Sequence, residues 1–285
     1  MLWLSICAIF CTTLLGILFK EAGDRKLNLY NVVKINYSTC ILLGLLHTDR
    51  QLHADTLADL LKHAIPLGVL FYAGFSSFAY SVKFCGLPLS TSYQKLSIAL
   101  SVPYLACSGI PLNLIQIAGF TSALLAIYAF HKAKSNSTIN TIQQRLLLWS
   151  CLIISAIIEV GFANYNAHSK QVHSSSIMLA TLVFLFALST GMIHSAIYPK
   201  TTYTKSLKAE IGYGILLGIP NYYSIYSLIG ALHSEIAPER FYPILNCSVI
   251  LLSVLVARSI YHEKLNRNQL LGIILSLVAV ILLHL

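Results

Sequence analysis

Runs of apolar residues recur along the whole chain, each near the length of about 20 residues that a helix needs to cross a bilayer core. Short clusters of charged and turn-forming residues separate them. This punctuation predicts ten spans, near 2–19, 28–46, 65–84, 88–109, 112–131, 146–165, 175–198, 209–232, 237–258 and 267–284. The connections around Pro88 and Pro111 are tight. The longest polar connections run from His47 to His63 and from His131 to Arg145. The former reads as a solvated connector or a short amphipathic surface helix. The first run, Leu2 to Phe19, lacks a basic leader and a small-residue cleavage site, so it is expected to stay as a span.

Composition sharpens this picture. Of the 285 residues, 56% are hydrophobic and only 10% are charged, whereas soluble domains carry roughly a quarter charged residues. Ten helices would take up roughly 200 residues, which leaves no room for a soluble catalytic domain. The net charge is +9, but the 19 Lys and Arg are scattered over short connections, so no nucleic-acid surface is expected. The seven cysteines (Cys7, Cys11, Cys40, Cys85, Cys107, Cys151, Cys247) form no C-x-x-C pair and no zinc spacing with histidine. They read as small residues at helix contacts, and neither a metal site nor a cofactor is expected.

Internal repetition then divides the chain. The fifth span opens Leu112-Asn113-Leu114-Ile115-Gln116-Ile117-Ala118-Gly119, and the tenth opens Leu265-Asn266-Arg267-Asn268-Gln269-Leu270-Leu271-Gly272. Both read L-N-x-x-Q-x-x-G. Trp3 to Cys7 resembles Trp149 to Cys151, and Gly68 and Tyr80 match Gly214 and Tyr226 at one offset. Residues 1–131 are therefore the first five-helix repeat, 132–145 a connecting loop, and 146–285 the second repeat. Five is odd, so the second repeat enters the membrane from the opposite side. The expected fold is an all-α membrane protein of ten transmembrane helices in two inverted five-helix repeats, an arrangement that secondary transporters use. Gly214-Ile-Leu-Leu-Gly218 adds a small-x-x-x-small face in the eighth span.

The closing sequence HEKLNRNQLLGIILSLVAVILLHL, with Glu263, Lys264, Leu265, Gln269 and Gly272, resembles the drug/metabolite transporter superfamily in its EamA-like branch. The resemblance runs over essentially the whole chain. It implies the ten-span fold and transport, with substrates in that superfamily ranging over amino acids, nucleotide derivatives, sugars and cationic drugs. The first half departs from the pattern, because CSGIPLNLIQIAG lacks the acidic-basic turn before Gln116.

Charges inside the spans supply candidate chemistry. A lysine or arginine in mid-helix costs about 2.5–3.5 kcal/mol on insertion scales, so it needs a partner, a wet cavity or a function. Lys34 lies in the second span and Lys95 in the fourth, each about 10 Å from the same side. Glu159, in the sixth, lies about 20 Å from that side. The lysines are expected to attract an anion, or else to snorkel to the headgroups. Glu159 is expected to couple protons, or to pair with a cation; its E-V-G setting is similar to the membrane carboxylate of the small multidrug-resistance branch. Pro220-Asn221-Tyr222-Tyr223 is expected to break the eighth span, and broken helices are where transporters bind. The candidate substrate-binding set is Lys34, Lys95, Tyr93, Asn221, Tyr222, Tyr226, Arg240 and Asn246, with Glu159 for proton coupling.

The expectation is a secondary transporter that moves a small anionic or zwitterionic metabolite by alternating access, without a nucleotide-driven domain, since no P-loop is present. Its expected place is the bacterial cytoplasmic (inner) membrane. Its expected partners are the substrate and membrane lipids, with a homodimer admitted. Two other classes stay open: a lipid-moving or accessory subunit, and an intramembrane enzyme, for which no catalytic constellation is present. Thirteen Lys and Arg follow odd-numbered spans against four on the other side. The positive-inside rule therefore puts the termini outside, while the family resemblance puts them in the cytoplasm; orientation stays open.

Overall fold

The structure, a computed structural model, describes residues 2–47, 54–106, 113–132, 141–168, 173–198, 207–232, 238–283 and 285. Among the described residues all regular structure is helical: α1 (Leu2–Asp24), α2 (Leu29–His47), α3 (Ala54–Cys85), α4 (Leu87–Lys95), α5 (Ile98–Ala106), α6 (Leu114–Lys132), α7 (Thr141–His168), α8 (His173–Ile197), α9 (Leu207–Leu232), α10 (Pro238–Ser259) and α11 (Arg267–Leu283). Among the described residues, five stretches are long and apolar enough to cross a membrane: Trp3–Asp24, Leu29–His47, Leu57–Cys85, Ile142–Phe162 and Ile177–Ile197. Leu114–Phe130, Ile244–Ser259 and Arg267–Leu283 are shorter apolar helices.

Two expectations are corrected. The fourth span is not one helix, because it is split into α4 and α5 between Lys95 and Ile98. The eighth span is not broken at Pro220, because α9 runs through it. Packing from α2 explains this continuity: the Cys40 thiol donates to Gly218 O at 3.4 Å and Asn221 Nδ2 to Asn36 Oδ1 at 3.1 Å, which holds the segment around the proline. The connection from His47 to His63 is helical from Ala54 onward, as the start of α3, while residues 48–53 lie outside the described residues.

Two compact units emerge, and each draws on both halves of the sequence. The first comprises Met1–Ser76 and Gly161–Ser234, the second Ser77–Val160 and Glu235–Leu285.

In the first unit α2 packs on α8 and α9, and α1 on α9. Glycines set these approaches. A Cβ on Gly214 would meet Ile35, and one on Gly218 would sit 2.8 Å from Asn36 O, so the small-x-x-x-small face is where α9 closes on α2. Rising numbers pair with rising numbers there, so α2 and α9 run parallel. Gly44 against Thr181 and Lys34 against Gly191 make α2 and α8 antiparallel.

In the second unit the central seam is α6 against α11. The repeated L-N-x-x-Q-x-x-G acquires a physical meaning there. Asn113 N donates to Gln116 Oε1 at 3.1 Å and Gln116 N to Asn113 Oδ1 at 2.7 Å. Asn266 N and Gln269 N do the same, at 2.9 and 2.8 Å. Both are reciprocal capping boxes, which satisfy orphan donors at a helix start. The motif glycines lie where the helices cross: a Cβ on Gly119 would come 2.8 Å from Leu283 N, and one on Gly272 would meet the Phe130 ring. Asn113 Nδ2 reaches Leu285 O and Asn268 Nδ2 reaches Lys132 O, so each helix starts beside the end of the other. The pair is antiparallel.

Large apolar side chains point outward, among them Trp3, 76% exposed, and Leu114, 84% exposed, while Asn36, Ser97, Asn221, Ser276 and Glu210 are buried. Soluble proteins distribute these residue types the other way.

Candidate functional site

The interruption between α4 and α5 organises the second unit's chemistry. Gly86 enters α4 at φ +88°, a conformation that L side chains rarely adopt, and its Cβ position would lie 3.0 Å from Glu263 Oε2. Proline in the first turn of α4 needs no backbone donor there. At the far end the ladder tightens: Ser97 N bonds to Gln94 O, three residues back, and Ala99 N to Leu96 O. Ser97 and Ser101 stand four apart, on one face of the new helix. Both are buried, and both donate to one carboxylate, Ser97 Oγ to Glu159 Oε1 at 2.6 Å and Ser101 Oγ to Oε2 at 2.8 Å. Each oxygen thus accepts one hydroxyl, while the Glu159 side chain remains exposed on its other side.

Lys95, the last residue of α4, is half-buried and within electrostatic range of Glu159. Among the described residues it has neither a hydrogen-bond acceptor nor an ion-pair partner. One turn earlier, the buried Ser92 hydroxyl is also without a partner among the described residues. Tyr93 is part of the packed core, its ring 5.4 Å from Phe130 and 6.5 Å from Trp149, so it fixes α4 in place. Asn246 is buried on α10, which packs against α4. Arg240 falls in the first turn of α10, and its side chain lies outside the described residues.

The first unit holds the other candidates. Lys34 Nζ donates to Ser195 Oγ at 2.8 Å, and Ser195 passes its own proton to Gly191 O at 2.9 Å. Gly191 gives room for this: a Cβ there would sit 2.9 Å from both Lys34 Cγ and the Tyr72 ring. Tyr72 hydroxyl and His194 Nδ1 are hydrogen-bonded at 2.9 Å. Glu210 is fully buried and accepts from Asn28 N at 3.1 Å and from Asn31 Nδ2 at 2.9 Å, which caps the start of α2. Asn221 is tied to Asn36. Tyr222 and Tyr226 lie in one aromatic group, with ring centroids 6.0 Å apart and the His47 ring 5.5 and 5.3 Å from them.

The structure thus gathers Tyr93, Lys95, Glu159 and Asn246 in one unit and Lys34, Asn221, Tyr222 and Tyr226 in the other. Sequence reasoning missed Ser101, Glu210, His194 and Ser195. The S-x-x-x-S spacing of Ser97 and Ser101 was the available signal for the first. Glu210 sits among polar residues at a helix start, where a carboxylate reads as a solvated group.

Fold and site together describe an all-helical chain of two compact units, one with an interrupted helix beside a carboxylate. No family model matches the chain. An uncharacterized protein of Haemophilus influenzae is 26% identical over 304 residues, which cover 98% of this chain and 96% of that protein. A solved crystal structure aligns with a TM-score of 0.58 at 14% identity, over 98% of this chain and 94% of its own. The chain therefore shares that fold along almost its full length.

Proposed function

We propose that this chain is a membrane-embedded secondary transporter that moves a small anionic or zwitterionic metabolite by alternating access, in the manner of the EamA-like proteins its sequence resembles. One observation carries the reading: Lys95 ends an interrupted helix without a partner among the described residues, beside a Glu159 held by two serines and open on its other side. A mid-membrane lysine left alone costs about 2.5–3.5 kcal/mol, and a ligand's carboxylate or phosphate removes much of that cost. Interrupted helices are where transporters place such groups, because within the membrane the chain leaves its hydrogen-bonded ladder only where it is buried in protein or lines a cavity. Glu159 supplies the opposite charge, neutralised by a proton or by a cationic group of the substrate.

The helix directions support the inverted arrangement. Spans two and eight run parallel, while two and seven, and five and ten, run antiparallel, as strict alternation requires. Matching capping boxes stand at opposite ends of the antiparallel α6–α11 pair. The outward apolar faces and buried polar residues support a lipid surround. The cytoplasmic membrane of a bacterium is the proposed location, and the full-length resemblance to a Haemophilus influenzae protein supports its bacterial part alone. The test is counterflow of a metabolite panel into proteoliposomes. Wild-type protein is expected to move at least one solute, and Lys95→Ala to move none while staying monodisperse. Unchanged flux in Lys95→Ala would make the lysine a structural feature.

A further inference from the structure

We infer that the substrate is a zwitterion whose ammonium group sits on Glu159 and whose carboxylate sits on Lys95. This deepens the transport reading and rests on it for the identity of the site. Three features lead to it.

First, the two charges are neighbours that do not meet. Ser97, bonded to Glu159 at 2.6 Å, is only two residues from Lys95, yet no ion pair joins lysine and glutamate among the described residues. The scaffold keeps them apart: Glu159 is tied to Ser97, within the interruption, and to Ser101 on α5, whereas Lys95 ends α4.

Second, the unused hydrogen-bonding capacity is sorted by sign. At Lys95 the ammonium is a donor with no acceptor among the described residues. At Glu159 there are only acceptors, because both serines spend their protons on the carboxylate. A carboxylate matches the first group and an ammonium the second.

Third, the alternatives fit worse. A simple anion on Lys95 would face the Glu159 charge, and a polyphosphate more so. A simple cation on Glu159 would face Lys95. Both repulsions are strong where water is scarce. Only a ligand carrying both charges a short distance apart answers both ends, as α-amino acids do.

The test uses the unaltered full-length protein in detergent and thermal stabilisation by each of the twenty standard amino acids, with its deamino carboxylate and its decarboxylated amine as matched probes. At least one amino acid is expected to raise the melting temperature, with both of its single-charge analogues binding about tenfold or more weakly. A carboxylate that binds as tightly as its amino acid overturns the assignment, and so does a set of twenty amino acids none of which binds. Glu159→Gln is expected to erase the preference, so that amino acid and carboxylate bind alike; retained preference also overturns it. The two readings fail separately. Counterflow of deamino carboxylates without discrimination leaves transport standing and removes the zwitterion. Bound amino acid with no counterflow of any solute does the reverse.

Discussion

Each compact unit brings a lysine and a glutamate inside its helices, Lys34 and Glu210 in the first and Lys95 and Glu159 in the second, and the two pairs are treated in opposite ways. In the first unit Glu210 is sealed, with one oxygen taken by Asn28 N just before α2 and the other by Asn31 of α2, and Lys34 rests on Ser195. In the second, Glu159 keeps an open side and Lys95 has no partner among the described residues. The same residue types therefore serve two ends. Saturated charges pin helix ends together and tolerate little motion. Unsaturated charges beside an interrupted helix remain available to a ligand. Residue identity alone does not separate the two; the count of satisfied hydrogen bonds does.

Substitutions can break this contrast, and the largest effect is expected at Lys95. Lys95→Ala should weaken ligand binding by about 2–5 kcal/mol, read as lost counterflow, with thermal stability unchanged. Lys34→Ala should leave the substrate's KM near wild type and lower stability instead. Equal losses of transport at the two lysines would erase the distinction between the units. Next in size is Glu210→Leu. It strands Asn28 N and the Asn31 amide, at about 1–3 kcal/mol for each buried donor, and should appear as a lower melting temperature with KM unchanged in the folded fraction. Gly119→Ala comes third: its methyl would press on the Leu283 backbone, which cannot yield as a side chain can, and about 1–3 kcal/mol of stability is expected to go. The smallest effects belong to the capping boxes. Gln116→Ala and Gln269→Ala should each cost about 0.5–1 kcal/mol by chemical denaturation. Their near equality would sharpen the view that the two helix starts are one device used twice.

Much of the fold could be read from apolar run lengths, since the spans near 2–19, 28–46 and 209–232 coincide with α1, α2 and α9. The break in span four could not be read, for a physical reason. Leu96 and Ser97 are ordinary helix residues, and the partner that two serine hydroxyls find at the interruption is a carboxylate 58 and 62 residues away in sequence. At Pro220 the error ran the other way, because the proline is a local breaker whose helix is held by Cys40 and Asn221 contacts with α2. Lys95 and Glu159 were legible as candidates by their cost in an apolar run. Glu210 was not, since its burial depends on α2 docking against it.

The proposed inversion of the two repeats can be tested by sidedness. Leu114 and Arg267 are exposed first residues of α6 and α11, at opposite ends of the antiparallel pair. In a background with all seven native cysteines replaced, Leu114→Cys and Arg267→Cys would be probed singly in intact cells with a membrane-impermeant maleimide. One cysteine should react at once and the other only after permeabilisation. Reaction of both from the same face would place the two helix entrances together and contradict the inverted architecture on which transport rests.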